Sequence, residues 1–246
     1  MKFTVTRSVA DFRGVESTAM LLFSVSLKEF LMLIKGVIFD MDGVLVDSER
    51  LYLRFWREAC ASFGLELSET NGLALRSNSP EEAIPKFKAW FGETVDYMQI
   101  RELRRKLMAE HIDKYGVELK PGAAELADYL KSHGIKIALA TASPIKRAEH
   151  YLSPHGLFDK FDAVVGGGMV AKGKPAPDTY ICAASLLNLP CKKCMAVEDS
   201  PSGIISAHTA GCVTVMIPDL TPPQDELLPM IDYVCENLGE LRNILS

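Results

Sequence analysis

The 246-residue sequence has no apolar run long enough to cross a membrane and no excess of basic residues. A membrane-spanning helix needs about 18 consecutive apolar residues. The most apolar N-terminal stretch, STAMLLFSVSLKEFLMLI, is interrupted by Lys28 and Glu29. The formal net charge of −5 gives no indication of the basic surface that binds a nucleic acid. We therefore expect a globular protein with neither a membrane nor a nucleic-acid partner.

The six cysteines are too scattered to predict a disulfide framework or a zinc site. Cys191 and Cys194 form one CxxC pair, but no second pair and no suitably spaced histidines follow it. Cysteines inside apolar segments are typical of reduced thiols in an intracellular protein. We expect a cytoplasmic protein in which this pair has no metal or redox role.

Residues 1–31 do not have the pattern of a secretory signal peptide. The acidic residues Asp11 and Glu16 occupy the region that would be basic in such a peptide. Met32 immediately precedes LIKGVIFD, which has the apolar character of a first strand. We expect residues 1–31 to be an extension that contributes little to function.

Short apolar runs rich in β-branched residues recur along the chain, and most are continuous rather than alternating. They are GVIFD (36–40), IKIALA (135–140), DAVVG (162–166), MAVED (195–199), CVTVMI (212–217) and DYVC (232–235). Such runs are typical of strands that are covered on both faces. Helical patterns lie between most of them, and this alternation predicts an α/β fold with a doubly wound parallel sheet.

The segment 50–117 breaks the alternation of strands and helices. The stretch LYLRFWREACASFG places apolar residues from Leu51 to Phe63 on one helical face, and further helical patterns follow around 80–91 and 98–115. This pattern predicts a helical domain of residues 50–117, inserted into a core that comprises residues 32–49 and 118–246.

Polar side chains follow the predicted strands at their carboxyl ends, where open α/β sheets bind ligands. They are Asp40 and Asp42 after the first strand, Thr141 and Ser143 after the second, Lys172 and Lys174 beyond the third, and Glu198 and Asp199 after the fourth. Carboxylates, hydroxyls and an ammonium group together suit a hard cation such as Mg²⁺ with a phosphoryl group beside it.

These residue types can support phosphoryl transfer. A carboxylate can attack phosphorus and form an aspartyl-phosphate. A second acid, two residues further on, can protonate the leaving oxygen and later activate water. Mg²⁺ and a lysine can neutralise charge on the transferring group.

The same residues resemble the motifs of the haloacid dehalogenase superfamily. The stretch DMDGVLVDSE is similar to its first motif, DxDGxLxDS, and Thr141 is similar to the second. Lys174 before Pro175 resembles the third motif, and VEDSPSG the fourth, in the family's order over about 35–240. The resemblance implies a Rossmann-like core with an inserted α-helical cap domain, in the subgroup of β-phosphoglucomutase and sugar-phosphate phosphatases.

This resemblance also implies roles for the acidic residues. Asp40 would be the nucleophile and Asp42 the general acid/base. Mg²⁺ would be held by Asp40, the backbone carbonyl of Asp42 and Asp199, with Glu198 supporting it through water.

The resemblance implies that Thr141 and Lys174 bind the phosphoryl group. Lys174 is preferred to Lys172 for this role because the family pattern has a lysine before a proline. Ser143 is predicted either to contact the phosphate or to make a hydrogen bond within its loop.

Two residues of the predicted cap are candidates for substrate contacts. Arg76 lies on a loop before a helix predicted to start near Ser79, and it could reach a distal phosphate or sugar hydroxyls. A solvated loop charge is the alternative for Arg76. Tyr52 could face either the substrate or the core of the cap.

The predicted function is that of a Mg²⁺-dependent phosphatase of small phosphorylated metabolites, with sugar phosphates the first expectation. The alternative is a phosphomutase of the β-phosphoglucomutase type. The resemblance implies a cap histidine in that enzyme at the position of Tyr52, which argues against a mutase, whereas Arg76 lies close to the position of its cap arginine. A non-catalytic binding protein would be expected to lack Asp40 or Asp42, and both are present. We expect a monomer, with a dimer as the alternative.

Overall fold

The computed structural model describes residues 33–76, 78–220 and 222–245. The predicted extension, residues 1–31, lies outside the described residues. The described chain divides into a helical unit, Asp47–Glu118, and a second unit formed by the residues before and after it. The predicted cap, 50–117, lies inside the first of these units.

The second unit contains a six-stranded sheet in the order β3-β2-β1-β4-β5-β6. Its strands are β1 (Gly36–Phe39), β2 (Lys136–Ala140), β3 (Ala163–Val165), β4 (Cys194–Glu198), β5 (Val213–Met216) and β6 (Tyr233–Val234). All five neighbouring pairs are parallel. The predicted doubly wound α/β fold is therefore confirmed, and each of the predicted runs overlaps a strand.

The strand order reverses direction at β1. From β1 the chain first adds β2 and β3 on one side, and then adds β4, β5 and β6 on the other. At such a switch point the connections leave in opposite directions, so a crevice opens at the carboxyl ends of the central strands. The fold thus places the end of β1 at the position where α/β proteins bind their ligands.

Among its described residues, the helical unit has four helices: α1 (Ser48–Ala61), α2 (Glu69–Leu73), α3 (Pro80–Phe91) and α4 (Tyr97–Tyr115). The capping box at Ser79, whose hydroxyl accepts from the backbone of Glu82, starts α3 where the sequence predicts. The five-residue α2 was not predicted, because it is too short to display a helical period.

An aromatic cluster forms the core of the helical unit. Trp56 is fully buried, and its ring stacks on Tyr97 at 5.6 Å between centroids and packs against Phe87 at 5.3 Å. The prediction that Phe63 belongs to this apolar face is wrong. Helix α1 ends at Ala61, so Phe63 follows it in a turn and is exposed.

Helices α5 (Ala123–Ser132), α6 (Ile145–Leu152), α7 (Asp178–Leu186), α8 (Pro201–Ala210) and α9 (Leu238–Leu245) accompany the sheet. Short 3₁₀ turns lie at Ser153–His155, Phe158–Lys160, Cys191–Lys193 and Asp225–Met230. On one face of the sheet, Ile38 and small residues such as Ala138 and Ala196 pack against Tyr180 and Ala183 of α7. Small side chains let this helix lie close to the strands. Among the described residues, no helix combines the length and the apolar character needed to span a bilayer.

Candidate active site

The candidate site is built where β1, β2 and β4 end side by side. The register pairs Phe39 with Leu139 on one side and with Val197 on the other. Because the three strands are parallel and in register, the residues that follow these three meet at one edge of the sheet. Asp40 directly follows β1, and its backbone N–H donates to the carbonyl oxygen of Val197 at 3.0 Å.

Lys174 is the buried cation at this edge. Its Nζ donates to Asp40 Oδ1 at 2.5 Å, to Glu198 Oε1 at 2.5 Å and to the carbonyl oxygen of Ala140 at 2.9 Å. These three bonds match the three protons of an ammonium group. Burial alone would lower the pKa of Lys174, but the two carboxylates hold this pKa above its ordinary value. Lys174 is therefore protonated at neutral pH.

Glu198 is fully buried and accepts hydrogen bonds from five donors. Oε1 accepts from Lys174 and from the Tyr180 hydroxyl at 2.7 Å. Oε2 accepts from the Ser200 hydroxyl at 3.0 Å and from the backbone N–H groups of Asp199 and Ser200. Because a carboxylate has about four lone-pair directions, these bonds occupy Glu198. Glu198 therefore fixes Lys174 and the loop after β4.

Three carboxylates at this edge could hold a metal ion. Oxygen atoms of Asp40, Glu198 and Asp199 all lie within 4.8 Å of one another. If all three carboxyl groups are ionised, the group and Lys174 together carry a net charge of −2, which a divalent cation would balance. Hard oxygen ligands suit Mg²⁺. Since Glu198 already accepts from five donors, a direct bond from it to the ion would displace one of them.

Burial dominates the titration of Asp40. It raises the pKa of this carboxyl group from 3.8 to about 7, although the neighbouring Lys174 acts in the opposite direction. The charges of Glu198 and Asp42 raise this pKa further. Asp40 thus resists ionisation even with Lys174 beside it, and a further cation would favour its charged form.

Two glycines allow the carboxylates to lie this close to the backbone. Gly43, the glycine of the DxDG motif, has a φ of +82°, and a Cβ there would overlap the Asp199 carboxylate. A Cβ on Gly203 would overlap the Glu198 carboxylate. Gly203 lies in the first turn of α8, where its N–H donates to Ser200 Oγ at 3.1 Å. The glycines of both acidic motifs therefore make room for a carboxylate.

Asp42 lies beside the loop and helix that follow β2. Its Oδ2 accepts a hydrogen bond from the Ser143 hydroxyl at 3.1 Å. Its Oδ1 lies 3.8 Å from Nη2 of Arg147, a residue of α6. Among the described residues, the Asp42 carboxylate is not part of the metal-binding group formed by the other three acids.

The predicted phosphate-binding residues lie at the same edge. Thr141 is buried, and its Oγ1 accepts from the backbone N–H of Ser143 at 3.0 Å, so its own proton can be donated elsewhere. Ser143 was predicted to contact either the phosphate or its own loop, but its hydroxyl donates to Asp42. Lys172 is exposed, whereas Lys174 is buried among the carboxylates. This contrast supports the preference for Lys174.

The two candidate residues of the helical unit are engaged within that unit. Arg76 forms an ion pair with Glu49 at 2.8 Å, and 13% of its side chain is exposed, so it is not a solvated loop charge. The Tyr52 ring lies 4.5 Å beneath the Arg104 guanidinium carbon and 6.1 Å from the Trp56 ring. Tyr52 thus packs on the aromatic core of the unit.

Sequence reasoning missed Tyr180, Ser200 and Arg147. Tyr180 lies in an apolar helical pattern that reads as core, and its hydroxyl gives no signal of a carboxylate partner. Ser200 was visible as part of VEDSPSG but was not assigned. Arg147 lies beside Lys146, and the sequence does not show which of the two basic side chains faces Asp42.

The family model of haloacid dehalogenase-like hydrolases matches residues 34–211. The chain belongs to this family. The match confirms the predicted family and the predicted enzyme class, a phosphoric monoester hydrolase of the haloacid dehalogenase type.

Similar proteins include both phosphatases and mutases. The chain is 34% identical to the phosphorylated carbohydrates phosphatase of Thermotoga maritima, over 72% of this chain and 82% of that protein. It is 31% identical to the β-phosphoglucomutase of Bacillus subtilis, over 74% of this chain and 82% of that protein. The crystal structure of CbbY from Rhodobacter sphaeroides in complex with phosphate matches with a TM-score of 0.68 and 26% identity. That match covers 85% of this chain and 96% of the other.

Gly203→Ala should destabilise the protein by about 1–3 kcal/mol, because the added Cβ overlaps the buried Glu198 carboxylate. The overlap outweighs the gain of about 0.5–1 kcal/mol that alanine ordinarily brings to a helix. Urea unfolding measures the free energy of unfolding. Gly173→Ala is the matched control, since a Cβ there meets nothing within 4 Å. Equal unfolding free energies for the two variants would contradict the close approach of Gly203 and Glu198.

Proposed function

We propose that the protein is a Mg²⁺-dependent phosphatase that hydrolyses small phosphorylated sugars through an aspartyl-phosphate at Asp40. The observation that carries this proposal is the position of Asp40, which Lys174 holds beside Asp199 at the carboxyl edge of the sheet. The similarity to a phosphatase of phosphorylated carbohydrates supports the substrate class.

In the first step a carboxylate oxygen of Asp40 forms a bond to the phosphorus of the substrate. The bond between phosphorus and the leaving oxygen breaks, and its electron pair stays on that oxygen. Asp42, protonated at this stage, transfers its proton to the leaving oxygen, so that a neutral sugar hydroxyl departs. The products of this step are the sugar, the aspartyl-phosphate and an ionised Asp42.

In the second step a water molecule attacks the phosphorus of the aspartyl-phosphate. Asp42 takes one proton from this water, and the bond between phosphorus and the Asp40 oxygen breaks. Inorganic phosphate leaves, Asp40 is again a carboxylate and Asp42 is again protonated. Each cycle therefore consumes one water and returns both side chains to their starting states.

Groups around Asp40 would neutralise the negative charge of the phosphoryl group. The Thr141 hydroxyl and the Lys174 ammonium would bind oxygens of the phosphoryl group, because both lie at the edge where it must approach Asp40. Lys174 would do so by turning towards the phosphoryl group the proton that it donates to Asp40 in the free protein. Mg²⁺ held by Asp40 and Asp199 would supply the remaining positive charge. Glu198 and Tyr180 would keep Lys174 in place.

The phosphatase is tested by offering a panel of phosphate monoesters, with sugar phosphates, polyol phosphates and nucleotides, in the presence of Mg²⁺ or a chelator. Sugar phosphates should release phosphate fastest. Chelation should lower the rate by at least about a hundredfold, equivalent to about 2.7 kcal/mol of transition-state stabilisation. Phosphate release that is unchanged by the chelator would contradict the role of Mg²⁺, and nucleotides as the best substrates would contradict the substrate class.

A phosphomutase is the second candidate because the β-phosphoglucomutase of Bacillus subtilis is similar over most of its length. A mutase returns the phosphoryl group to a second oxygen of the substrate instead of passing it to water. We take the packing of Tyr52 against Arg104 and Trp56 as support for the phosphatase, since the family resemblance implies a histidine at this cap position in the mutase.

The two candidates are separated with β-glucose 1-phosphate and a trace of glucose 1,6-bisphosphate. We expect free phosphate to be the main product, because a phosphatase passes the phosphoryl group to water. Glucose 6-phosphate and inorganic phosphate are quantified in the same sample. Stoichiometric glucose 6-phosphate with little free phosphate would establish the mutase instead.

A further inference from the structure

Both carboxylate oxygens of Asp42 face a polar side chain from the segment that follows β2. Oδ2 accepts a hydrogen bond from Ser143, and Oδ1 faces the Arg147 guanidinium at 3.8 Å. Contacts to both oxygens favour one orientation of the carboxylate plane. The orientation of Asp42 therefore depends on residues outside the DxD motif.

Arg147 is itself held by a buried tyrosine. Its Nε donates to the Tyr151 hydroxyl at 3.0 Å, and its guanidinium carbon lies 5.0 Å from the centroid of the Tyr151 ring. The two residues are four positions apart on α6, which places them on one face of the helix. Tyr151 is only 6% exposed, so its packed side chain holds the Arg147 guanidinium in place. The contacts run from Tyr151 through Arg147 to Asp42.

The ion pair between Arg147 and Asp42 is partly exposed, with 39% and 24% of the two side chains accessible. Exposed pairs of this kind are weak because water screens them. A weak contact can orient the carboxylate and still let it turn towards the oxygen of a bound substrate. A fully buried pair, such as that of Lys174 with Glu198, would not allow this movement.

We propose that Arg147, supported by Tyr151, is a positioning residue that orients Asp42 for proton transfer to the leaving oxygen. The proposal rests on the proposed function, in which Asp42 is the general acid. Arg147 acts through Asp42 and takes no part in bond formation.

The contribution of a general acid to the reaction rate increases as the leaving group becomes poorer. The hydroxyl of a sugar must be protonated as the bond to phosphorus breaks, whereas p-nitrophenolate departs without a proton. The parameter kcat/KM reports events up to the first irreversible step, and so reports the departure of the leaving group. A fault in the orientation of Asp42 should therefore lower kcat/KM for a sugar phosphate and spare p-nitrophenyl phosphate.

The test measures kcat/KM for glucose 6-phosphate and p-nitrophenyl phosphate in Arg147→Met, Arg147→Lys and Tyr151→Phe. For Arg147→Met we expect a loss of about tenfold or more with glucose 6-phosphate and of less than about threefold with p-nitrophenyl phosphate. Arg147→Lys should recover part of the loss because it restores the charge. Tyr151→Phe keeps the ring, removes the hydroxyl and should show a smaller loss with the same selectivity.

Arg242→Met is the matched control, because Arg242 also lies over a tyrosine ring, that of Tyr129, at 5.6 Å. It belongs to α9, whereas Tyr129 belongs to α5. It should leave kcat/KM unchanged with both substrates. A purely structural role of Arg147 would lower the melting temperature and affect both substrates alike, which would overturn the proposal.

Two further outcomes separate this proposal from the proposed function. A higher KM for glucose 6-phosphate with an unchanged kcat in Arg147→Met would show that Arg147 contacts the substrate, and would overturn the positioning role. Asp42→Asn should lose kcat/KM selectively for glucose 6-phosphate. If it does so while Arg147→Met has no effect, the inference about Arg147 fails and the role of Asp42 stands. If Asp42→Asn spares both substrates, the acid assignment fails, and the inference fails with it.

Discussion

The buried ion pairs of Lys174 with Asp40 and Glu198 are the interaction on which the rest of the site depends. One ammonium group bonds to residues at the ends of β1 and β4 and to a carbonyl oxygen of β2. Without it, the neighbouring carboxylates would face one another in a desolvated space, and removing one partner of a buried pair typically costs about 3–5 kcal/mol. Lys174 therefore links the architecture of the sheet to the position of Asp40, the proposed nucleophile.

The sheet and two glycines determine where the charges lie. Parallel strands in register bring Asp40 and Asp199 to one edge, while Gly43 and Gly203 leave room for the Asp199 and Glu198 carboxylates. The donors around Glu198 occupy its oxygens, and we propose that Asp40 and Asp199 bind the cation. The proposed catalysis depends on a crowded set of carboxylates. Their mutual repulsion is offset by one lysine and by the divalent ion that we propose.

Much of this arrangement could be predicted from the sequence, since strand ends and motif residues are local features. The continuous apolar runs predict the sheet, and DMDGVLVDSE, Lys174 and VEDSPSG predict which side chains meet at its edge. The contacts of Tyr180, Arg147 and Arg76 could not be predicted, because each depends on side-chain directions between segments far apart in the chain. The prediction that Phe63 belongs to the apolar helical face was wrong for a different reason: the apolar periodicity of the sequence continues past Ala61, whereas the helix ends there.

The central claim is that Asp40 carries the phosphoryl group, and mass spectrometry of acid-quenched enzyme during turnover of a sugar phosphate tests it most directly. The account predicts one added phosphoryl group on Asp40, and none in Asp40→Asn, which should keep its circular dichroism spectrum and lose turnover. Asp225→Asn, the same substitution at an exposed aspartate, should behave as wild type. A phosphoryl group on another residue, or turnover of Asp40→Asn within about tenfold of wild type, would contradict the account.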